Sequence, residues 1–288
     1  MRNRFLFTAL VVLSFAAAPA AARRHPAPTP SPSPSPSPSP TPLPERLRVA
    51  RLRTTVAAIA KSAPGRLGVA IVDLYHDTRI SVRGDQSFEL GNVRKLAIAL
   101  AAYRRSDQHR LDLDRRFVRN GVAHSYAELI AGMLLERDNT ATDVLLANLG
   151  GPKATGALVA RLGLRGFDFE RSEATPNAVA DLLAGLTQQY YTKLDTTNEC
   201  LQLLSDVRTD GGRFRAGLPA GASLAHETGT SNTVDGATAA TNDAGILTLP
   251  DGRRIVLVAF LADSHANPGA RDTTLARIAR AVYETYVP

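Results

Sequence analysis

Strand-forming segments lie near both ends of the apolar part of the chain, and the long stretch between them reads as helix. Residues 66–75 (RLGVAIVDLY) and 78–83 form a strand pair around His76-Asp77, a hairpin signal. Residues 244–249 and 254–262 form a second pair, joined by the strong turn sequence Pro250-Asp251-Gly252. Between and around them the spacing predicts helices. Residues 45–61 repeat Val49, Leu52, Val56 and Ile59 at helical intervals, with arginines on the other face. Asn92 is placed to cap a helix over 93–104. Further helices are expected over 126–149 and 152–162, from Thr175-Pro176 onward, and over 273–286. The order of elements predicts an α/β chain of the α+β type: an antiparallel sheet flanked by helices, with an all-helical subdomain of about residues 86–210 inserted.

The core begins near residue 45. Residues 1–22 read as a secretory signal: Arg2 and Arg4, an apolar run over 5–18, then Ala20-Ala21-Ala22 as a small-residue cleavage site. The run is short for a membrane span, which needs about 20 residues. Cleavage would leave no transmembrane segment, and retention would make it an anchor. Residues 23–44 are a Pro/Ser-rich linker, with proline at nearly every second position from 26 to 44. Such a tract favours polyproline II, and 19 residues at about 3.1 Å each reach roughly 60 Å. It reads either as a spacer from a membrane or wall or as a solvated tail.

The formal charge of +7 is concentrated in this leader. Residues 1–65 carry nine Lys/Arg and one Asp/Glu, whereas residues 66–288 carry 25 and 26. The charge footprint of a nucleic-acid-binding domain is therefore absent. Weak contact of the leader with an anionic surface remains open. Cys200 is the single cysteine, so no intrachain disulfide forms, and it reads as a small buried hydrophobe. The histidines (His25, His76, His109, His124, His226, His265) show no metal-ligand spacing. No metal or cofactor is expected.

Four segments in order carry a resemblance. They are residues 88–95 (FELGNVRK), residues 137–142 (RDNTAT) followed by Gly150-Gly151-Pro152-Lys153, residues 225–230 (AHETGT), and the stretch from Asn242 through Ser264. In order and spacing these resemble the class A β-lactamase family, over about residues 66–264. The resemblance implies the serine β-lactamase/DD-peptidase fold. It also implies a site in which a serine attacks the lactam carbonyl, a lysine one turn later accepts its proton, a second serine shuttles that proton, a strand lysine holds the substrate carboxylate, and a loop glutamate activates the deacylating water.

This chain departs from the family at four of those five groups and keeps the lysine. Asn92 stands at the nucleophile position, and a carboxamide is no nucleophile. Lys95 is retained at i+3, on the same helical face. Arg137 replaces the shuttling serine of the Ser-Asp-Asn segment, and guanidinium does not exchange protons near neutrality. Glu227 reverses the charge of the Lys-Thr-Gly lysine. The loop between Gly163 and Thr175 is too short for the family's glutamate, so neither Glu170 nor Glu173 inherits that role. No catalytic set is intact at Asn92, Lys95, Arg137 and Glu227. The expected binding positions are Asp138, Asn139, Thr228, Gly229 and Thr230.

Each retained residue also has a plain structural explanation. Asp138 and Asn139 serve as cap and brace of a helix, and Gly229 as a close-packing residue. His226 serves as a hydrogen-bonded structural histidine. Arg137 and Glu227 face each other in the family frame, which predicts a bidentate bridge across the old cleft. The rival expectation is that Arg137 faces an anionic ligand. The leading expectation is an exported protein, periplasmic or extracellular, with a β-lactamase fold and no serine hydrolysis. It would bind a cell-wall peptide or a protein partner through the old cleft. The enzymatic alternative is hydrolysis of a β-lactam or related amide by a non-covalent route, with Lys95 activating a water. A purely structural module is the third reading, separated from the others by whether the cleft is open or filled.

Overall fold

The computed structural model describes residues 43–119, 121–209 and 211–287. The signal sequence and nearly all of the proline-rich linker fall outside the described residues.

Five strands form the main sheet: β1 (Arg66–Asp73), β2 (Thr78–Val82), β3 (Ser223–Thr230), β4 (Thr241–Thr248) and β5 (Arg254–Ala262). Their order is β2-β1-β5-β4-β3, and every neighbouring pair is antiparallel. Strand β3, which carries Glu227, is therefore an edge strand. The helices are α1 (Glu45–Ser62), α2 (Arg94–Asp107), α3 (Tyr126–Leu135), α4 (Asn139–Asn148), α5 (Gly151–Arg161), α6 (Pro176–Thr187), α7 (Leu194–Asp206), α8 (Phe214–Gly217) and α9 (Pro268–Tyr286).

The near-continuous apolar runs of β1 and β5 follow from burial on both faces. Leu67, Val69 and Ile71 of β1, with Leu257, Ala259 and Leu261 of β5, pack with α1 and α9. The intervening Ala70, Val72, Val256, Val258 and Phe260 pack with the central helix α2 and the helices around it. Alternation sends successive side chains to opposite faces, and with both faces covered no polar alternation survives. Helix α2 is buried along its middle, from Leu96 to Tyr103.

Several expectations need correction. The helix over 126–149 is two helices. Arg137 adopts a left-handed conformation, φ 58°, and the Asp138 carboxylate caps a new helix by accepting from Thr140 N–H at 2.7 Å and Ala141 N–H at 3.0 Å. A left-handed residue other than glycine costs roughly 1–2 kcal/mol, so the surroundings hold this break in place. Asn92 caps no helix with its side chain: it lies within a 3-10 turn, Gly91–Val93, and α2 starts at Arg94. Helix α7 and the two-stranded ribbon Arg116–Arg119/Val122–Ser125 carry no clear periodicity; the buried face of α7 is only Thr197, Cys200 and Leu204. The terminal helix begins earlier than residue 273, because Asn267 caps it by accepting from Ala270 N–H at 2.9 Å.

Candidate functional site

The 3-10 turn and the edge strand meet closely. A Cβ on Gly229 would lie 2.2 Å from the Leu90 carbonyl oxygen, and one on Gly91 would lie 2.9 Å from Thr230 N at a φ of +54°. Glycine is required at both positions by this backbone approach. Asn242 on β4 ties the turn down by donating from Nδ2 to Glu89 O at 2.7 Å and Leu90 O at 3.2 Å. Asn92, Lys95 and β3 are thus brought to one place, as their order along the chain suggested.

The interior of that place is closed. Lys95, Glu227 and Thr228 are each 0 % exposed. Among the described residues Lys95 Nζ and Glu227 Oε2 have no hydrogen-bond partner, while Glu227 Oε1 accepts from Thr228 N–H at 3.1 Å. Burial lowers the affinity of Lys95 for its proton, against the attraction of Glu227; Arg137 and Arg94 push the same way as burial. Burial likewise pushes the Glu227 carboxyl up to about 8, against the pull of Lys95 and Arg137. The two groups feel each other's charge without touching.

Arg137 donates from Nη2 to Thr228 Oγ1. It does not form the expected bridge: among the described residues no ion pair of 4.0 Å or less joins Arg137 to Glu227. Strand alternation supplies the reason. Glu227 and Thr228 are successive residues and point to opposite sides, so a guanidinium that meets one is turned from the other. Lys95 pulls on the Glu227 proton more strongly than Arg137 does.

At the mouth, Asn92 and Arg137 are partly exposed, and Asn139 and Thr230 are exposed. Asp138 is occupied as the α4 cap. No side-chain hydrogen bond involves Asn139 among the described residues, and it is exposed. Glu173 belongs to a short strand paired with Phe88–Glu89 and accepts from Ser87 Oγ at 2.7 Å; Glu170 is exposed.

Two residues stood outside the sequence reading. Arg213 is 3 % exposed and braces the end of β3, donating from Nη1 to Gly229 O at 3.0 Å and Asn242 O at 2.8 Å, and from Nη2 to Thr230 Oγ1 at 2.5 Å. Its Nε donates to Asp272 Oδ1 at 2.9 Å. No local motif marks it, because its partners come from three distant segments. Asp243 holds His226, with Nδ1 and Oδ1 2.8 Å apart, and accepts from Phe214 N–H at 3.0 Å through Oδ2. His226 is thereby the hydrogen-bonded structural histidine expected.

The described residues also gather Glu45, Asp73 and His76, with one potential ligand atom of each within 4.8 Å of the others. Histidine spacing gave no sign of this cluster. His76 Nδ1 lies 2.9 Å from Asp73 Oδ2 and 3.0 Å from Glu45 Oε1, an arrangement that pins α1 to the β1–β2 turn.

Comparison with known proteins agrees with this geometry. The β-lactamase enzyme family matches residues 51–286. The extended-spectrum β-lactamase PER-1 of Pseudomonas aeruginosa is 27 % identical, over 81 % of this chain and 86 % of its own. The β-lactamase CTX-M-25 of Escherichia coli is 28 % identical, over 80 % and 88 %. Among solved structures, a β-lactamase from Chitinophaga pinensis superposes with a TM-score of 0.78 at 28 % identity, covering 82 % of this chain and 99 % of its own. An ancestral class A β-lactamase gives 0.75 at 29 %, covering 81 % and 99 %. The chain belongs to the β-lactamase enzyme family, and its fold is that of the class A enzymes.

Proposed function

We propose that this protein is a non-hydrolytic member of the β-lactamase family, exported by its N-terminal signal, that binds a cell-wall peptide or protein partner at the mouth of the old cleft. One observation carries the loss of hydrolysis: residue 92 is a carboxamide, and the buried Lys95 Nζ beside it has no hydroxyl to deprotonate. Covalent acyl transfer needs a nucleophile whose proton can leave, and Asn92 offers none. The closed interior argues the same way. Lys95, Glu227 and Thr228 are out of solvent contact, so a ligand engages Asn92, Arg137, Asn139 and Thr230 at the rim.

The depressed proton affinity of Lys95 favours one second reading, a non-covalent hydrolase in which its neutral amine activates a water. The complete burial of Lys95 opposes it, because substrate must reach that water.

Hydrolysis of a chromogenic cephalosporin separates the two readings, with Asn92→Ala and heat-inactivated protein as controls. The non-hydrolytic reading expects no turnover above the controls and no covalent label from a fluorescent penicillin. Turnover that scales with protein, survives Asn92→Ala and disappears in Lys95→Ala would replace it with the hydrolase. For the binding role, muropeptides and captured partners should bind wild type more tightly than Asn139→Ala; no detectable binding leaves the structural-module reading.

A further inference from the structure

The C-terminal end of α2 and the facing side of α5 enclose a groove lined by Arg104, Arg105, Gln108, Arg110, Leu158 and Arg161. Four arginines line it, and among the described residues no carboxylate does. Two are held in place by neutral acceptors. Arg104 Nη1 donates to Tyr191 O at 3.0 Å, and Arg105 donates from Nη1 and Nη2 to Asn148 O and Leu149 O at 3.3 and 3.2 Å. Carbonyl oxygens orient a guanidinium without cancelling its charge. Arg110 and Arg161 are exposed, and among the described residues neither makes an ion pair or a side-chain hydrogen bond.

The carboxylates near this end of α2 are committed elsewhere. Asp107 accepts from Lys193 N–H at 2.6 Å and from Thr196 Oγ1, and Glu199 accepts from Tyr103 O–H at 3.1 Å. Asp112 and Asp114 line a separate hollow on the other side. Residues 66–288 are almost balanced, with 25 Lys/Arg against 26 Asp/Glu, so four uncompensated arginines in one groove depart from the rest of the surface. The helix dipole accounts for part of this: Arg104 and Arg105 end α2 and Arg161 ends α5, where cations are favoured. It does not account for Arg110, which lies beyond the helix and turns into the same groove.

We propose that this groove binds a phosphate-bearing anion. Guanidinium forks pair with phosphate oxygens bidentately; the uncommitted Arg110 and Arg161 offer such forks, and Arg104 and Arg105, held by carbonyl oxygens, add fixed positive charge beside them. A soluble polyphosphate and a phospholipid headgroup share this chemistry. The groove lies at the opposite end of α2 from Asn92, about 15 Å along the helix at about 1.5 Å per residue, and does not depend on the reading of the old cleft.

The test compares the full wild-type chain with Arg110→Ala/Arg161→Ala, both positions being exposed and outside the packed core. Calorimetric titration with inorganic tripolyphosphate at low salt should show saturable binding to wild type, at least tenfold weaker in the double variant, with unliganded Tm unchanged. Co-sedimentation with phosphatidylglycerol vesicles, against phosphatidylcholine vesicles, assigns the source. Retention of wild type that the double variant loses identifies a lipid headgroup; saturable tripolyphosphate binding without such retention identifies a soluble phosphate ligand. No binding of either probe, or equal binding by both chains, overturns the proposal.

Discussion

Two buried pairs of titratable residues each take one member from successive positions of the edge strand β3, His226 and Glu227, and they are built differently. His226 and Asp243 lie 2.8 Å apart, and the second carboxylate oxygen takes the Phe214 N–H. Lys95 and Glu227 are equally buried, yet Nζ and Oε2 have no hydrogen-bond partner among the described residues. The first pair is satisfied as a structural network should be. The second buries two ionisable groups that feel each other's charge but leave one polar atom each without a partner among the described residues. Its unsatisfied atoms cost stability.

Breaking the satisfied pair should have the largest effect. Asp243→Ala strands the His226 imidazole and the Phe214 amide, and should lower unfolding stability by about 3 kcal/mol in urea denaturation. A loss under about 1 kcal/mol would show that the network is dispensable. Next comes the unsatisfied pair. Lys95→Met and Glu227→Leu each leave one buried ionisable group without its counter-charge, at about 1–3 kcal/mol. The double variant should lose less than the sum, or gain, because it removes both desolvated groups together. Strict additivity in that cycle would mean that the two charges do not interact.

The pH dependence sharpens the same contrast. Glu227 is held up to about 8 from an ordinary value of 4.5, so between those values the folded state keeps a proton that the unfolded state has lost. Its contribution is complete below the ordinary value and is lost as pH rises through the folded one. Stability should therefore fall as pH rises from about 5 to 8, and Glu227→Gln should flatten the slope. A slope unchanged by that substitution would show an ionised Glu227 paired with Lys95. The smallest effect belongs to the rim: Asp138→Ala removes the α4 cap and should cost about 1 kcal/mol, while leaving the pH slope intact.

Much of the fold was legible because it rests on local pattern. The run 254–262 was long and apolar enough to be read with its full extent, and the turn at Pro250-Asp251-Gly252 and the helix start at Thr175-Pro176 carry residue types that suit those conformations. The break at Arg137 was not legible, since residues 126–149 keep an apolar helical spacing through it. A left-handed arginine is held only by what surrounds it.

The candidate site divides along the same line. That residue 92 bears a carboxamide, 137 a guanidinium and 227 a carboxylate is a matter of side-chain chemistry, and the sequence alone determined it. Which of those residues touch was decided by tertiary structure. Alternation along β3 turned Arg137 to Thr228 rather than Glu227, Arg213 came in from a segment with no motif, and burial of Lys95, Glu227 and Thr228 closed the interior. Chemistry belongs to each residue wherever it stands, whereas contact and desolvation arise only when distant segments pack.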